Sequence, residues 1–179
     1  MLEMTLCSRF SKRILFTSVL LTACSSGPRS VPAPGRGPMP AFELESLPGG
    51  NFSSKVLAGK VALIDFWATW CQPCLEEIPF WNQLQQRYGD RGFTVLGITV
   101  QSGWASDIKS DMAKLKLEIR YPVVVGNEQI AQQFGGVLGF PTTFLITRDG
   151  QIYKKYTGQY PAKRTQIEAD IRKLLAEER

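Results

Sequence analysis

Two cysteines with two residues between them, Cys71-Gln72-Pro73-Cys74, are the side chains in this sequence best suited to do chemistry. They follow a nearly continuous apolar run, Val61 to Trp67 (VALIDFW), and open a segment, residues 72–88, in which Leu75, Ile78, Trp81 and Leu84 share one helical stripe. A buried strand that turns into a helix at the cysteines is the setting in which C-x-x-C acts as a redox pair. A sulfur at a helix N-terminus meets backbone N–H groups that lack an intrahelical acceptor, and the positive end of the helix dipole. Both favour thiolate, so Cys71, at the helix start, is expected to ionise below the free value of about 8.5. Pro73 falls in the first turn, where its missing N–H costs nothing.

Other uses of the pair fit less well. A zinc site needs four ligands, and the chain has no histidine and only two further cysteines, Cys7 and Cys24, both far upstream. A c-type haem site would place histidine after the second cysteine, where Leu75 stands. An inert structural disulfide closing so short a loop gains little from chain entropy. The missing histidine also removes Ser-His-Asp and Cys-His catalysis, so no cofactor is expected beyond the cysteine pair. The formal charge of +5 argues little for nucleic acid, since Arg9, Lys12 and Arg13 against Glu3 leave only +3 for everything after residue 23.

Two carboxylates stand near the cysteines in sequence. Asp65 lies inside VALIDFW, where an unpaired charge is costly and the carboxyl pKa should rise. Glu77 follows Cys74 by three residues, so one helical turn puts the two on one face. Glu76 is expected to face solvent.

The elements that must hold this pair begin near residue 41. Phe42, Leu44 and Leu47 around Pro48-Gly49-Gly50-Asn51 suggest a short hairpin. Phe93 to Val100 reads as a second buried strand, and Trp104, Ile108, Met112 and Leu115 as a helical stripe. Pro122 to Val125 suggests a short strand, and residues 128–134 a helix capped by Asn127 and Gly135-Gly136. Thr142 to Thr147 and Ile152 to Tyr156 flank an Arg148-Asp149-Gly150 turn, and Pro161 opens a last helix with Ile167, Ile171, Leu174 and Leu175 inward. Alternating strands and helices predict an α/β fold with a mostly parallel sheet and an antiparallel hairpin at its edge. With 44% hydrophobic and 21% charged residues the chain can build that core.

Upstream, a basic cluster (Arg9, Lys12, Arg13) precedes a ten-residue apolar run, Ile14 to Ala23. That is too short to span a bilayer, which takes about 20 residues, and suits a secretory signal. The run ends Leu21-Thr22-Ala23-Cys24, which resembles the lipobox of bacterial lipoproteins. The resemblance implies removal of residues 1–23, lipidation of Cys24, and an extracytoplasmic protein anchored to a bacterial membrane, facing the periplasm or the cell exterior. Residues 24–40, rich in proline and glycine, read as a semi-extended tether, and 41–179 as the folded domain. Labelled fatty acid is expected to enter the wild-type chain and not Cys24→Ala; equal labelling of the two would remove the anchor.

The stretch Asp65-Phe66-Trp67-Ala68-Thr69-Trp70-Cys71-Gln72-Pro73-Cys74, with Glu77 and Pro79 downstream, an added helical segment after the second strand, and Gly139-Phe140-Pro141-Thr142, resembles the TlpA/ResA group of extracytoplasmic thioredoxin-like reductases. The likeness spans about residues 41–175. It implies a thioredoxin-like fold, a central mixed sheet flanked by helices with an extra helical insertion. Pro141 would be the family's cis-proline beside the disulfide, and Trp70, Phe140 and Pro141 the residues that meet an extended substrate. Asp65 sits where thioredoxins keep a buried proton-relay acid, and Glu77 where the group often carries a glutamate that tunes the thiols. Cys71 would attack a client disulfide and Cys74 resolve the mixed disulfide. The partners so implied are client proteins with disulfides, apocytochrome c in cytochrome c maturation among them, and a membrane thiol reductant that recharges a monomeric carrier. A disulfide-forming oxidant and a non-catalytic binding module on the same scaffold stay open as alternatives.

Overall fold

The computed structural model describes residues 37–177; the stretch read as a signal, Cys7, Cys24 and most of the stretch read as a tether lie outside them. Twelve regular elements run in chain order: β1 (Gly37–Pro38), β2 (Glu43–Ser46), β3 (Asn51–Ser53), β4 (Val61–Trp67), α1 (Gln72–Tyr88), β5 (Phe93–Thr99), α2 (Ala105–Lys114), β6 (Val123–Val125), α3 (Glu128–Gln133), β7 (Thr142–Ile146), β8 (Gln151–Thr157) and α4 (Lys163–Ala176). They make one eight-stranded sheet in the order β1-β8-β7-β4-β5-β6-β2-β3, an α/β, thioredoxin-like fold with a mixed sheet.

Every residue of β4 is buried, because helices cover both faces of the sheet. The period-2 alternation of a strand divides its side chains between two cores. Val61, Leu63 and Trp67 pack with Ile78, Trp81 and Leu84 of α1 and Ile167, Ile171 and Leu174 of α4. Ala62, Ile64 and Phe66 pack with Ile130 and Ala131 of α3 and with Phe134 beyond it. Asp65 belongs to the odd-numbered set, so its carboxylate is directed into the layer that holds α1 and α4.

The sheet is less parallel than the alternation of elements predicts. Only β4, β5 and β6 run parallel. The β7-β8 hairpin is no edge: β7 lies antiparallel against β4, at the sheet's centre. The chain leaves α3 on the far side of β4 and returns in the opposite direction. The amino-terminal hairpin adds β2 antiparallel to β6. At the opposite end Gly37 and Pro38 pair with Ile152 and Gln151 of β8, and Met39 N–H donates to the Gly150 carbonyl at 2.8 Å. Residues with a tether's composition thus cap an edge strand, a place where proline is tolerated.

The α2 insertion also departs from its pattern. Of Trp104, Ile108, Met112 and Leu115 only Ile108 is fully buried, and Trp104 is 79% exposed. The short helix seals only Ile108 in the core, with Ala105 and Met112 partly buried against it. Its further attachment is polar: Asp111 accepts a hydrogen bond from the Thr69 hydroxyl at 3.0 Å, which ties α2 to the loop before the cysteines.

Candidate active site

Cys71 is the N-cap of α1, and its sulfur accepts the Cys74 backbone N–H at 3.3 Å. Pro73 stands in the first turn, where the helix asks for no donor. The two sulfurs are bonded to each other. Cys71 keeps 5% exposure and Cys74 none, so only the first can be reached from outside.

Two loops frame the disulfide. The register that sets Thr142 opposite Phe66 brings the Phe140-Pro141 peptide, which is cis, to the carboxyl end of β4. The Phe140 ring meets Trp70 edge-on, with ring centres 5.8 Å apart. Trp70 is 62% exposed, and its indole N–H donates to the Gln101 carbonyl at 2.8 Å. Beside it, Thr69 N–H donates to Ser102 Oγ at 3.0 Å. The Gln101–Ser102 loop thus fixes the tryptophan and its neighbour, a role no local pattern announced. Trp70, Phe140 and the Cys71 edge form a partly apolar rim around a sulfur–sulfur bond.

Beneath the rim lies a buried polar cluster. Asp65 accepts a hydrogen bond from the Thr143 hydroxyl at 2.9 Å, across a register that pairs the two residues directly. Burial, reinforced by the charge of Glu77 and tempered by Lys163 and Thr143, lifts the Asp65 pKa to about 7. Glu77 lies on the buried face of α1 with Cys74. Burial raises its pKa as well, against the lowering effect of Lys163. Lys163, in the first turn of α4, puts its Nζ 2.9 Å from Glu77 Oε2, with both side chains 1% exposed. Sequence reasoning missed this lysine, although it stands four residues before Ile167 on the stripe that continues to Ile171. Glu76 faces outward, its side chain accepting from Gln159 at 3.3 Å.

The raised acid has a consequence for stability. The unfolded chain gives up the Asp65 proton near 3.8 and the folded chain near 7, so the folded form holds more protons between those values. Stability contributed by this group falls as pH rises through that window and is level above it. Asp65→Asn keeps an acceptor for Thr143 and removes the titration, so it is expected to stabilise the protein above pH 7, by up to about 4 kcal/mol on linkage arithmetic, and to lose that advantage below pH 4. Urea midpoints of the two proteins at pH 4 and pH 8 measure it; a gap independent of pH would refute it.

Comparison with known proteins agrees with this chemistry. The Redoxin family profile matches residues 36–172. The chain is 31% identical over 121 residues to the thiol-disulfide oxidoreductase ResA of Geobacillus thermodenitrificans, covering 66% of this chain and 67% of that protein. It is 27% identical over 135 residues to ResA of Bacillus thuringiensis subsp. konkukian, covering 75% of each. Among solved structures, a thiol:disulfide interchange protein of the thioredoxin family from Chlorobium tepidum superposes with a TM-score of 0.67 at 32% identity, covering 79% of this chain and 97% of that one.

Proposed function

The chain belongs to the Redoxin family, and from that premise we propose that it is the reducing kind of protein thiol-disulfide oxidoreductase, acting on disulfides of client proteins outside the cytoplasm. One observation carries the reading: a disulfide at the start of α1 whose first sulfur is at the rim and whose second is sealed, above an acid that titrates near neutrality.

In the reduced protein the Cys71 thiolate attacks one sulfur of a client disulfide. A Cys71–client bond forms, the client's S–S bond breaks, and its other sulfur leaves as a thiolate and takes a proton. The Cys74 thiol then gives up its proton, with the buried Asp65 as its acceptor, and attacks the Cys71 sulfur. The client's second sulfur departs, takes a proton in turn, and the Cys71–Cys74 disulfide closes. The client ends as a dithiol, two electrons richer, and this protein two electrons poorer. A dithiol partner at the membrane must then reduce it again. Trp70, Phe140 and Pro141 offer an extended client strand an aromatic and backbone platform. Lipidation at Cys24 would keep a monomeric domain close to that recharging partner; among the described residues no helix is long and apolar enough to cross a membrane. Catalytic amounts of the protein should accelerate the reduction of insulin by dithiothreitol, and a rate equal to the uncatalysed one would sink the reading.

A further inference from the structure

The two exchange steps as written assign no task to the buried ion pair between α1 and α4, and it is an expensive feature. Two charges withdrawn from water are held together only by close geometry, and removing one partner strands the other. Lys163 Nζ reaches Glu77 Oε2 at 2.9 Å. Glu77 Oε1 has no hydrogen-bond partner among the described residues. A cavity of about 440 Å³ lined by Glu77, Gln159, Tyr160, Pro161 and Arg164 adjoins it. Among the described residues only the Lys163 ammonium pairs with this carboxylate at contact distance, and Asp65 is near enough to feel both charges.

We propose that Lys163 is a positioning residue of the exchange reaction: by keeping Glu77 ionised one helical turn from Cys74, it leaves Asp65 as the single buried acid whose proton moves during resolution. This rests on the oxidoreductase reading above. Without Lys163 the buried cluster would hold two carboxyls with no cation at contact distance. Such a pair shares protons, and its titration belongs to neither acid. The other titratable groups facing the cluster do not compensate. Tyr121, at the start of the β6 segment, is held neutral by burial and by both acids. Arg164 on α4 lowers the Glu77 pKa less than Lys163 does, and its guanidinium donates to the Glu76 carbonyl at 2.7 Å. Cys71 and Cys74 on α1 are the thiols being served.

The test follows resolution alone. Full-length protein carrying a Cys71–thionitrobenzoate mixed disulfide releases coloured thionitrobenzoate when Cys74 attacks, and the rate is read from pH 5 to 9. Wild type is expected to show one carboxyl inflection near pH 7. Lys163→Met, which keeps the aliphatic stem, should add a second, with the rate at neutral pH changing by about tenfold for each unit the acid midpoint moves. Lys163→Arg and the double variant Lys163→Met/Glu77→Gln should each return to one inflection. A Lys163→Met profile that overlays wild type overturns the proposal, because a packing role alone would leave the profile unmoved. If Lys163→Met does not fold, the double variant decides: folding with a single inflection supports the pairing, and a double variant equally unfolded, or folded with two inflections, overturns it. Wild-type protein that releases no thionitrobenzoate would instead overturn the oxidoreductase reading itself.

Discussion

Cys74→Ser is expected to accumulate covalent complexes with client proteins, and Cys71→Ser to accumulate none; both lose insulin turnover completely. The two sulfurs differ in what surrounds them. Cys71 is at the rim, on the helix end, where its sulfur already accepts the Cys74 N–H; opening the disulfide leaves that donor to stabilise a thiolate. Cys74 is fully buried and reaches a mixed disulfide only from within. Resolution by a partner already in bonding position is an intramolecular step, and such steps reach effective molarities of about 10⁵ M or more. Millimolar external thiol is therefore slower by orders of magnitude once Cys74 is gone, and the mixed disulfide becomes the resting form. Non-reducing gels of the two variants isolated with their clients read the result, and mass analysis of the trapped partner names the client. Complexes on Cys71→Ser and none on Cys74→Ser would exchange the two roles.

Much of this geometry is legible in the sequence because it is local or periodic. The apolar run over residues 61–67 and the stripe that follows it locate the strand, the turn and the cysteines. Alternation alone assigns Asp65 to the helix-covered face that holds Leu63 and Trp67. What the sequence conceals is long-range and polar. Lys163 follows a proline at a helix start, where a lysine reads as solvated; its partner is 86 residues away. Thr69 meets Ser102 and Asp111 across 33 and 42 residues, with no pattern in either segment to announce the bond. Gly37 and Pro38 mislead in the other direction, since composition assigns them to a linker and only the free edge of β8 makes them a strand.

The Cys71–Cys74 couple is expected to have a midpoint potential near that of thioredoxin, below roughly −220 mV, against roughly −270 mV for thioredoxin and −120 mV for the strong oxidant DsbA. A disulfide is strongly oxidising when its reduced form is specially stabilised. Here the Cys71 sulfur receives a backbone N–H at 3.3 Å, and the spacer is Gln72-Pro73 in a chain without histidine, so no imidazolium can stabilise the thiolate. Considered alone, Glu77 would oppose a nearby thiolate and lower the potential further. The structure reduces that effect, because the Lys163 ammonium stands 2.9 Å from its carboxylate, and at the distance of Cys74 the pair acts as a dipole in place of a bare charge. The expected value therefore follows from ordinary helix-end stabilisation alone. For a two-electron couple about 30 mV corresponds to 1.4 kcal/mol, so thioredoxin-like and DsbA-like behaviour differ by roughly 7 kcal/mol, far outside the error of an equilibrium measurement. Equilibrating the protein against defined ratios of reduced and oxidised dithiothreitol gives the number. A midpoint above roughly −160 mV would mean that the reduced form is stabilised by a group other than the helix end, and would make the protein a donor of disulfides to its clients.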